Sequence, residues 1–243
     1  IEKGKRLTIK TTLSNEIQKV NIQNNNFIVV NTETSLIVGD ITSQKWSEVP
    51  WNTNGNEKYD FNNYNTCLVY VNGEIAVIEF GNNEIVGYFR TDFPHPNLIS
   101  ANISSVSKNK TDKLIAFLVD PFTVYIQDLI TLTIICNHVN DSQIEYLDFN
   151  KNGSKLIYRD SNKNLNLLFV KDNIKTTLLP LCTFAQWVPN TDVLVSQAGR
   201  NLVVWYNIDN FQNPKTIAIK GNVEEVKKSK GKYEVYINES SDS

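Results

Sequence analysis

Residues 182–209, CTFAQWVPNTDVLVSQAGRNLVVWYNID, decide how the rest of the chain is read. Three short apolar runs follow one another: Phe184 to Val188, Val193 to Gln197 and Leu202 to Ile208. Pro189-Asn190 interrupts the chain after the first, because proline has no N–H for a ladder. Ala198-Gly199-Arg200 supplies a tight turn after the second. Runs this short, this apolar and this regularly broken predict consecutive antiparallel strands.

The same pattern extends in both directions. Leu7 to Thr12 reads as a lone outer strand of a preceding sheet. Then come Ile17 to Ile22, Phe27 to Asn31, Leu36 to Ile41 and Trp46 to Trp51, with turns at Asn24-Asn25-Asn26 and Glu33-Thr34. A second set runs from Tyr59-Asp60-Phe61 through Cys67 to Val71, Ile75 to Phe80 and Ile85 to Arg90, with a hairpin signal at Asn72-Gly73 and a turn at Gly81-Asn82-Asn83. A third comprises Leu98 to Ile103, Leu114 to Val119, Val124 to Leu129 and Thr133 to Cys136, with a longer polar loop over Ser104 to Lys113. The fourth is Ile144 to Phe149, Lys155 to Arg159, Leu165 to Val170 and Lys175 to Leu179, turned at Lys151-Asn152-Gly153. Lys215 to Ile219 completes the fifth, and Val223 to Val226 with Tyr233 to Ile237 begins a sixth. The third strands carry recurring markers: Gly39-Asp40-Ile41, Ile78-Glu79-Phe80, Gln127-Asp128-Leu129, Leu168-Phe169-Val170 and Trp205-Tyr206-Asn207. Their spacing is roughly the ~40 to 45 residues of a propeller blade, although the Trp-Asp dipeptide is degenerate in all of them. The expected fold is therefore all-β: a WD-repeat-like β-propeller of about five full four-stranded blades, with partial blades at both ends. As domains, residues 1–243 read as a single β-propeller excerpted from a longer chain, with no Met in it: 1–13 end a preceding blade, 14–220 hold the blades, and 221–243 start a closing one. Ring closure would use strands outside the numbered chain.

Composition narrows the function. A formal net charge of −2 lacks the basic excess of a general nucleic-acid binder, so no nucleic-acid partner is expected. No run approaches the ~20 apolar residues of a membrane-spanning helix. Cys67, Cys136 and Cys182 are far apart and odd in number, which argues for buried free thiols over a disulfide framework or a zinc site.

No catalytic, cofactor-binding or metal-ligating residue is assigned. His95, inside Phe93-Pro94-His95-Pro96, and His138 read as surface loop histidines, with no partner at a ligand spacing. Gly81 to Gly87 has the wrong pattern for a phosphate loop. Asp60, Glu79, Asp120 and Asp148 are scattered, and no spacing forces two carboxylates together. Trp46, Trp51, Trp187 and Trp205 are expected to fill gaps between blades. The dense basic cluster Val226-Lys227-Lys228-Ser229-Lys230-Gly231-Lys232 reads as a solvated hairpin tip. Its lysines, Lys227, Lys228, Lys230 and Lys232, are the candidate interaction patch, for an acidic protein surface or an anionic lipid surface.

Several stretches also carry a resemblance. Gln186-Trp187-Val188-Pro189, Asp192-Val193-Leu194-Val195 with Gln197, and Val204-Trp205-Tyr206-Asn207-Ile208 are similar to the family of the largest peripheral subunit of intraflagellar transport complex B, in the second of its two N-terminal propellers. So are Asn56-Glu57-Lys58-Tyr59, Gly81-Asn82-Asn83 with Arg90-Thr91, Leu98-Ile99-Ser100, Asn150 through Gly153-Lys155-Leu156 to Arg159-Asp160, and Gly221 with Val223 to Tyr233. The Ser104 to Lys113 loop and the Asn-rich turns depart from that pattern. The resemblance implies a non-enzymatic scaffold propeller of a transport-train subunit, without cofactors, supporting cilium assembly and cargo movement along the axoneme. Implied partners are other complex B subunits and adjoining domains of the same chain. The implied location is the cilium or flagellum, the ciliary base and the cytoplasm. The other reading of the residues is a peripheral membrane or anionic-surface module using the lysine-rich hairpin.

Overall fold

The computed structural model describes residues 17–23, 27–33, 35–41, 45–49, 52–53, 56–63, 66–79, 84–90, 98–102, 113–129, 131–189 and 191–239. The chain divides into two compact units, Ile1–Arg90 and Thr91–Ser243. The expected strand at Leu7 to Thr12, the turns at Asn24-Asn25-Asn26 and Gly81-Asn82-Asn83, loop residues 104–112, Trp51 and His95 lie outside the described residues.

In the first unit, β1 (Ile17–Gln23), β2 (Phe27–Thr32), β3 (Leu36–Asp40) and β4 (Lys45–Glu48) form one antiparallel sheet in chain order. A second sheet contains β5 (Lys58–Asn63), β6 (Thr66–Val71), β7 (Glu74–Glu79) and β8 (Glu84–Arg90), again in order. Asn72 and Gly73 turn the chain between β6 and β7 with φ of 47° and 84°. That pair of left-handed residues is what a two-residue hairpin requires, and the Asn-Gly signal anticipated it. One core joins the two sheets: Phe27, Val29, Leu36, Val38 and Val49 pack with Cys67, Val69, Ala76 and Ile78.

In the second unit, β9 (Ile99–Asn102), β10 (Leu114–Asp120), β11 (Thr123–Asp128) and β12 (Ile134–Val139) make the third sheet. The fourth is β13 (Ile144–Phe149), β14 (Lys155–Asp160), β15 (Leu165–Phe169) and β16 (Ile174–Leu179). The fifth is β17 (Cys182–Trp187), β18 (Leu194–Ala198), β19 (Asn201–Trp205) and β20 (Lys215–Ala218). A two-stranded hairpin follows, β21 (Asn222–Ser229) and β22 (Lys232–Asn238).

Sandwiching between neighbours explains why the middle strands do not alternate cleanly. A strand covered on both faces has no polar side to show. In β14, Leu156 and Tyr158 face a core shared with the third sheet, whereas Ile157 between them faces a core shared with the fifth. The fifth sheet repeats the arrangement, with Leu194 and Trp205 turned to the fourth sheet and Val195 and Val204 turned to the hairpin. Outer strands lose this cover. All four residues of β20 are exposed.

Several strand boundaries differ from the sequence reading, and three of them have a clear local cause. β12 continues through Asn137 and His138 to Val139, because a buried partner receives the histidine. β19 stops at Trp205, and Ile208–Asn210 coils into a single 3-10 turn capped by the Asn207 side chain, which accepts from Asp209 N. β21 runs on through Lys227 and Lys228, so that the turn itself is only Lys230-Gly231, with φ of 46° and 78°.

Candidate interaction surface

A repeated polar link ties the first strands of the second unit together. Phe149 N, on β13, donates to Ser100 Oγ of β9 at 3.1 Å. Trp187 N, on β17, donates to Asp148 Oδ2 of β13 at 3.2 Å, and its indole Nε1 donates to Asp148 O at 3.1 Å. Val226 N, on β21, donates to Gln186 Oε1 of β17 at 3.2 Å, while Gln186 Nε2 donates back to Val226 O at 3.1 Å. Each time a side chain of the earlier sheet accepts from the backbone of the later one. Gln197 adds a second clasp on the hairpin: Val223 N donates to its Oε1 at 2.7 Å, and its Nε2 donates to Gly199 O and Gly221 O, both at 2.9 Å. The sequence reading named Asp148 among scattered acids, and Ser100, Gln186 and Gln197 within the resemblance, but gave none of them a seam role. A polar residue among apolar ones carries no local sign of a backbone partner 40 residues away. Gln197→Leu is expected to destabilise the chain by about 1–3 kcal/mol, since buried backbone groups lose their partner. Equilibrium urea unfolding of the two proteins measures it, and equal midpoints would remove the clasp's energetic role.

The four candidate lysines fall on two different faces of the hairpin. Strand residues alternate, so Val226, Lys228, Tyr233 and Val235 share one face by the register Val226↔Val235 and Lys228↔Tyr233. Val223 and Val226 of that face are buried against the fifth sheet. Lys227 lies on the other face, 3.2 Å from Glu225 Oε2 and 5.2 Å from the Tyr236 ring centroid, and Tyr236 OH donates to Glu234 Oε2 at 2.9 Å. Lys230 sits in the turn and Lys232 begins β22; all four side chains are exposed. The cluster is thus the solvated end of a two-stranded hairpin, with Lys227 and Lys228 on the ladder itself. Four glutamates, Glu224, Glu225, Glu234 and Glu239, accompany the four lysines between Asn222 and Glu239, so the ribbon has no net basic charge.

His138 corrects the expectation of a surface loop histidine. It is buried on β12, where its Nε2 lies 2.9 Å from Tyr158 OH and its Nδ1 lies 3.2 Å from Asn173 Oδ1. Tyr158 OH donates its one proton to Asn140 Oδ1 at 2.9 Å, and the ring is held between the tyrosine oxygen and Asn173 Oδ1. Burial pushes its pKa below the ordinary 6.5, with the Lys175 ammonium adding to that against the Asn173 hydrogen bond and the Asp141 carboxylate. A folded pKa below the unfolded one means that the unfolded chain binds the proton first. The contribution of His138 is present above about pH 6.5 and is lost as pH falls from there through the folded value. The urea midpoint is expected to drop on acidification across that window, and His138→Gln to flatten the drop; an unchanged slope in the variant would count against it.

The remaining residues of interest are structural. Cys67, Cys136 and Cys182 are all free and buried, as expected, and burial raises the Cys182 thiol to about 11. Trp187 and Trp205 fill the gap between the fourth and fifth sheets. Asp120 Oδ1 accepts from Phe122 N at 2.8 Å and so fastens a hairpin turn. Asp148 serves the seam. Among the described residues, no group of three or more His, Cys, Asp or Glu could hold a metal ion, and no helix is long and apolar enough to cross a membrane.

Repeated four-stranded antiparallel sheets, packed face to face, place the chain among the WD-repeat-like β-propellers. One chain of a mitotic checkpoint complex crystal structure matches with a TM-score of 0.54 at 12% identity, covering 92% of this chain and 75% of that one. KlHsv2 with loop 6CD replaced by a Gly-Ser linker also matches at 0.54, with 11% identity over 86% of this chain and 70% of that one. At such identities the likeness shows the fold alone.

In sequence, the chain is homologous to one segment of intraflagellar transport protein 172. It is 35% identical to the Chlamydomonas reinhardtii protein over 98% of its own length, and 36% identical to the Danio rerio homolog over 97%. It is 36% identical over 88% to the Caenorhabditis elegans intraflagellar transport protein osm-1. The chain spans 14% of the length of the first two relatives and 12% of the third. No family model matches it. The resemblance to an intraflagellar transport subunit, read from the residues, is borne out by these relatives.

Proposed function

We propose that this chain is a non-enzymatic scaffold and protein-interaction propeller within a subunit of the intraflagellar transport train. In this reading residues 1–243 are one propeller domain, and its partners are other complex B subunits and adjoining domains of the same polypeptide. It works in the cilium, the ciliary base and the cytoplasm, in cilium assembly and cargo transport along the axoneme. The observation that carries the reading is the 35% identity to Chlamydomonas reinhardtii intraflagellar transport protein 172 over 98% of the chain. The packing supports it: sheets locked by buried cores make a stiff body, and their turns remain free to vary and to bind. Lys227, Lys228, Lys230 and Lys232 enter as a patch for a protein partner, because the ribbon that carries them is charge-balanced and a lipid surface would select for a basic excess.

The test is affinity capture from ciliary extract with this chain as bait, read by quantitative mass spectrometry, beside a form with all four lysines changed to Glu. Recovery of complex B subunits by both forms supports the scaffold and leaves the patch without a role. Loss of that recovery in the Glu form, with its circular dichroism unchanged, locates binding at the patch. A bait that enriches no train subunit in either form overturns the reading.

A further inference from the structure

Two exposed tyrosines meet where the hairpin reaches past the fifth sheet. Tyr206, just beyond β19, is 55% exposed, and Tyr233, on β22, is 41% exposed. Their ring centroids are 6.4 Å apart and the planes are tilted by 35°. Lys215, which begins β20, holds its Nζ 5.6 Å from the Tyr206 ring centroid. Lys228 stands directly across the ladder from Tyr233, and both lysines are exposed. Two cations and two aromatic rings thus share one accessible surface. The charge balance of the ribbon does not extend to it. Lys227, on the opposite face, is paired with Glu225. Glu234 accepts from Tyr236 OH, and Glu224 accepts from Asn238 Nδ2. Asp209, close after Tyr206, lies 3.2 Å from Lys155 Nζ. Among the described residues, Lys215 and Lys228 have no carboxylate within ion-pair distance.

We propose that Tyr206, Lys215, Lys228 and Tyr233 form a docking surface for an acidic segment of a partner polypeptide. Carboxylates of that segment meet the two ammoniums, whose charge selects the sign of the guest. An apolar side chain between the carboxylates lies against the rings, since tyrosine offers a rigid apolar face with a polar tip. The shape of the charge favours a peptide over a lipid surface. A narrow segment can touch the lysines alone, whereas an anionic plane would also confront the glutamates of the ribbon. This inference rests on the protein-binding reading above. It narrows the lysine patch to Lys228 and adds Lys215 and the two tyrosines.

The probe is the capped pentapeptide acetyl-Glu-Leu-Glu-Leu-Glu-amide, titrated into the chain with ring-labelled tyrosine while the Tyr206 and Tyr233 resonances are followed by NMR. Both are expected to shift saturably, and the peptide with Gln in place of Glu to bind at least about fivefold more weakly. Lys215→Gln combined with Lys228→Gln is expected to weaken binding about tenfold. Tyr206→Ala, read through Tyr233, is expected to weaken it about fivefold. Lys227→Gln is expected to change it less than about twofold, because that lysine is paired on the other face. Tyrosine resonances unmoved by the Glu peptide, or equal affinity for the Gln peptide, overturn the proposal. So does a loss in Lys227→Gln as large as in the double variant, which would make the effect one of general charge. Phosphatidylserine vesicles that shift the same resonances and displace the peptide would also overturn it, in favour of a lipid surface. If the titration fails while the chain still captures train subunits from extract, this surface falls and the scaffold reading stands.

Discussion

Replacing Trp205 by alanine is expected to lower the unfolding free energy by about 3–5 kcal/mol. The residue is 2% exposed and closes the core between the fourth and fifth sheets, where it packs with Leu165, Leu167 and Trp187. Its indole Nε1 donates to Phe211 O at 2.9 Å, which also anchors the irregular segment between β19 and β20. An alanine there leaves a cavity that rigid sheets on either side collapse into only partly, and it strands one carbonyl. Trp205→Phe keeps most of the volume and loses the hydrogen bond, so it is expected to recover more than half of the deficit. Urea unfolding followed by circular dichroism reads both. A Trp205→Ala loss under about 1 kcal/mol would mean that this seam contributes little to holding the second unit.

Gly221→Val is expected to have the second largest effect, and a local one. Gly221 has φ of 94°, and a Cβ placed on it would overlap Asn238 O at the base of the hairpin. The left-handed backbone costs a non-glycine residue about 1–2 kcal/mol, and the overlap adds about 1–3 kcal/mol. The strain is relieved if β21 and β22 swing away from the fifth sheet, which breaks the bonds from Val223 N to Gln197 and from Val226 N to Gln186. Amide exchange at Val223 and Val226 is therefore expected to accelerate to near unfolded rates, while Leu156 and Ile157 in the fourth sheet stay protected. Continued protection of the hairpin amides in the variant would refute this account of how the ribbon is held.

Most of the strand order was legible because turns and apolar runs are local signals. Asn72-Gly73 and Ala198-Gly199-Arg200 announce hairpins through backbone angles that few other residues adopt. The limits of β12 and β21 were less legible, for one shared reason. Asn137-His138 and Lys227-Lys228 look like loop chemistry, yet the histidine is buried by a tyrosine from the next sheet and the lysines ride on a ladder set by Val226↔Val235. Tertiary partners overrode local polarity in both. The lysine cluster itself was visible, but its division between two faces and its balance by glutamates depend on register.

The links between first strands also bear on how such a chain can change over generations. Ser100, Asp148 and Gln186 supply the side chain of each link, and Phe149, Trp187 and Val226 answer it with main-chain groups that every residue but proline possesses, Trp187 adding its indole N–H to Asp148 O. The instructions for docking are thus written on one side of each seam. Drift on the donor side leaves the bond intact, and drift on the acceptor side removes it. A sheet that is copied in tandem brings with it the acceptor for its own duplicate, and asks of the duplicate nothing more than a main chain.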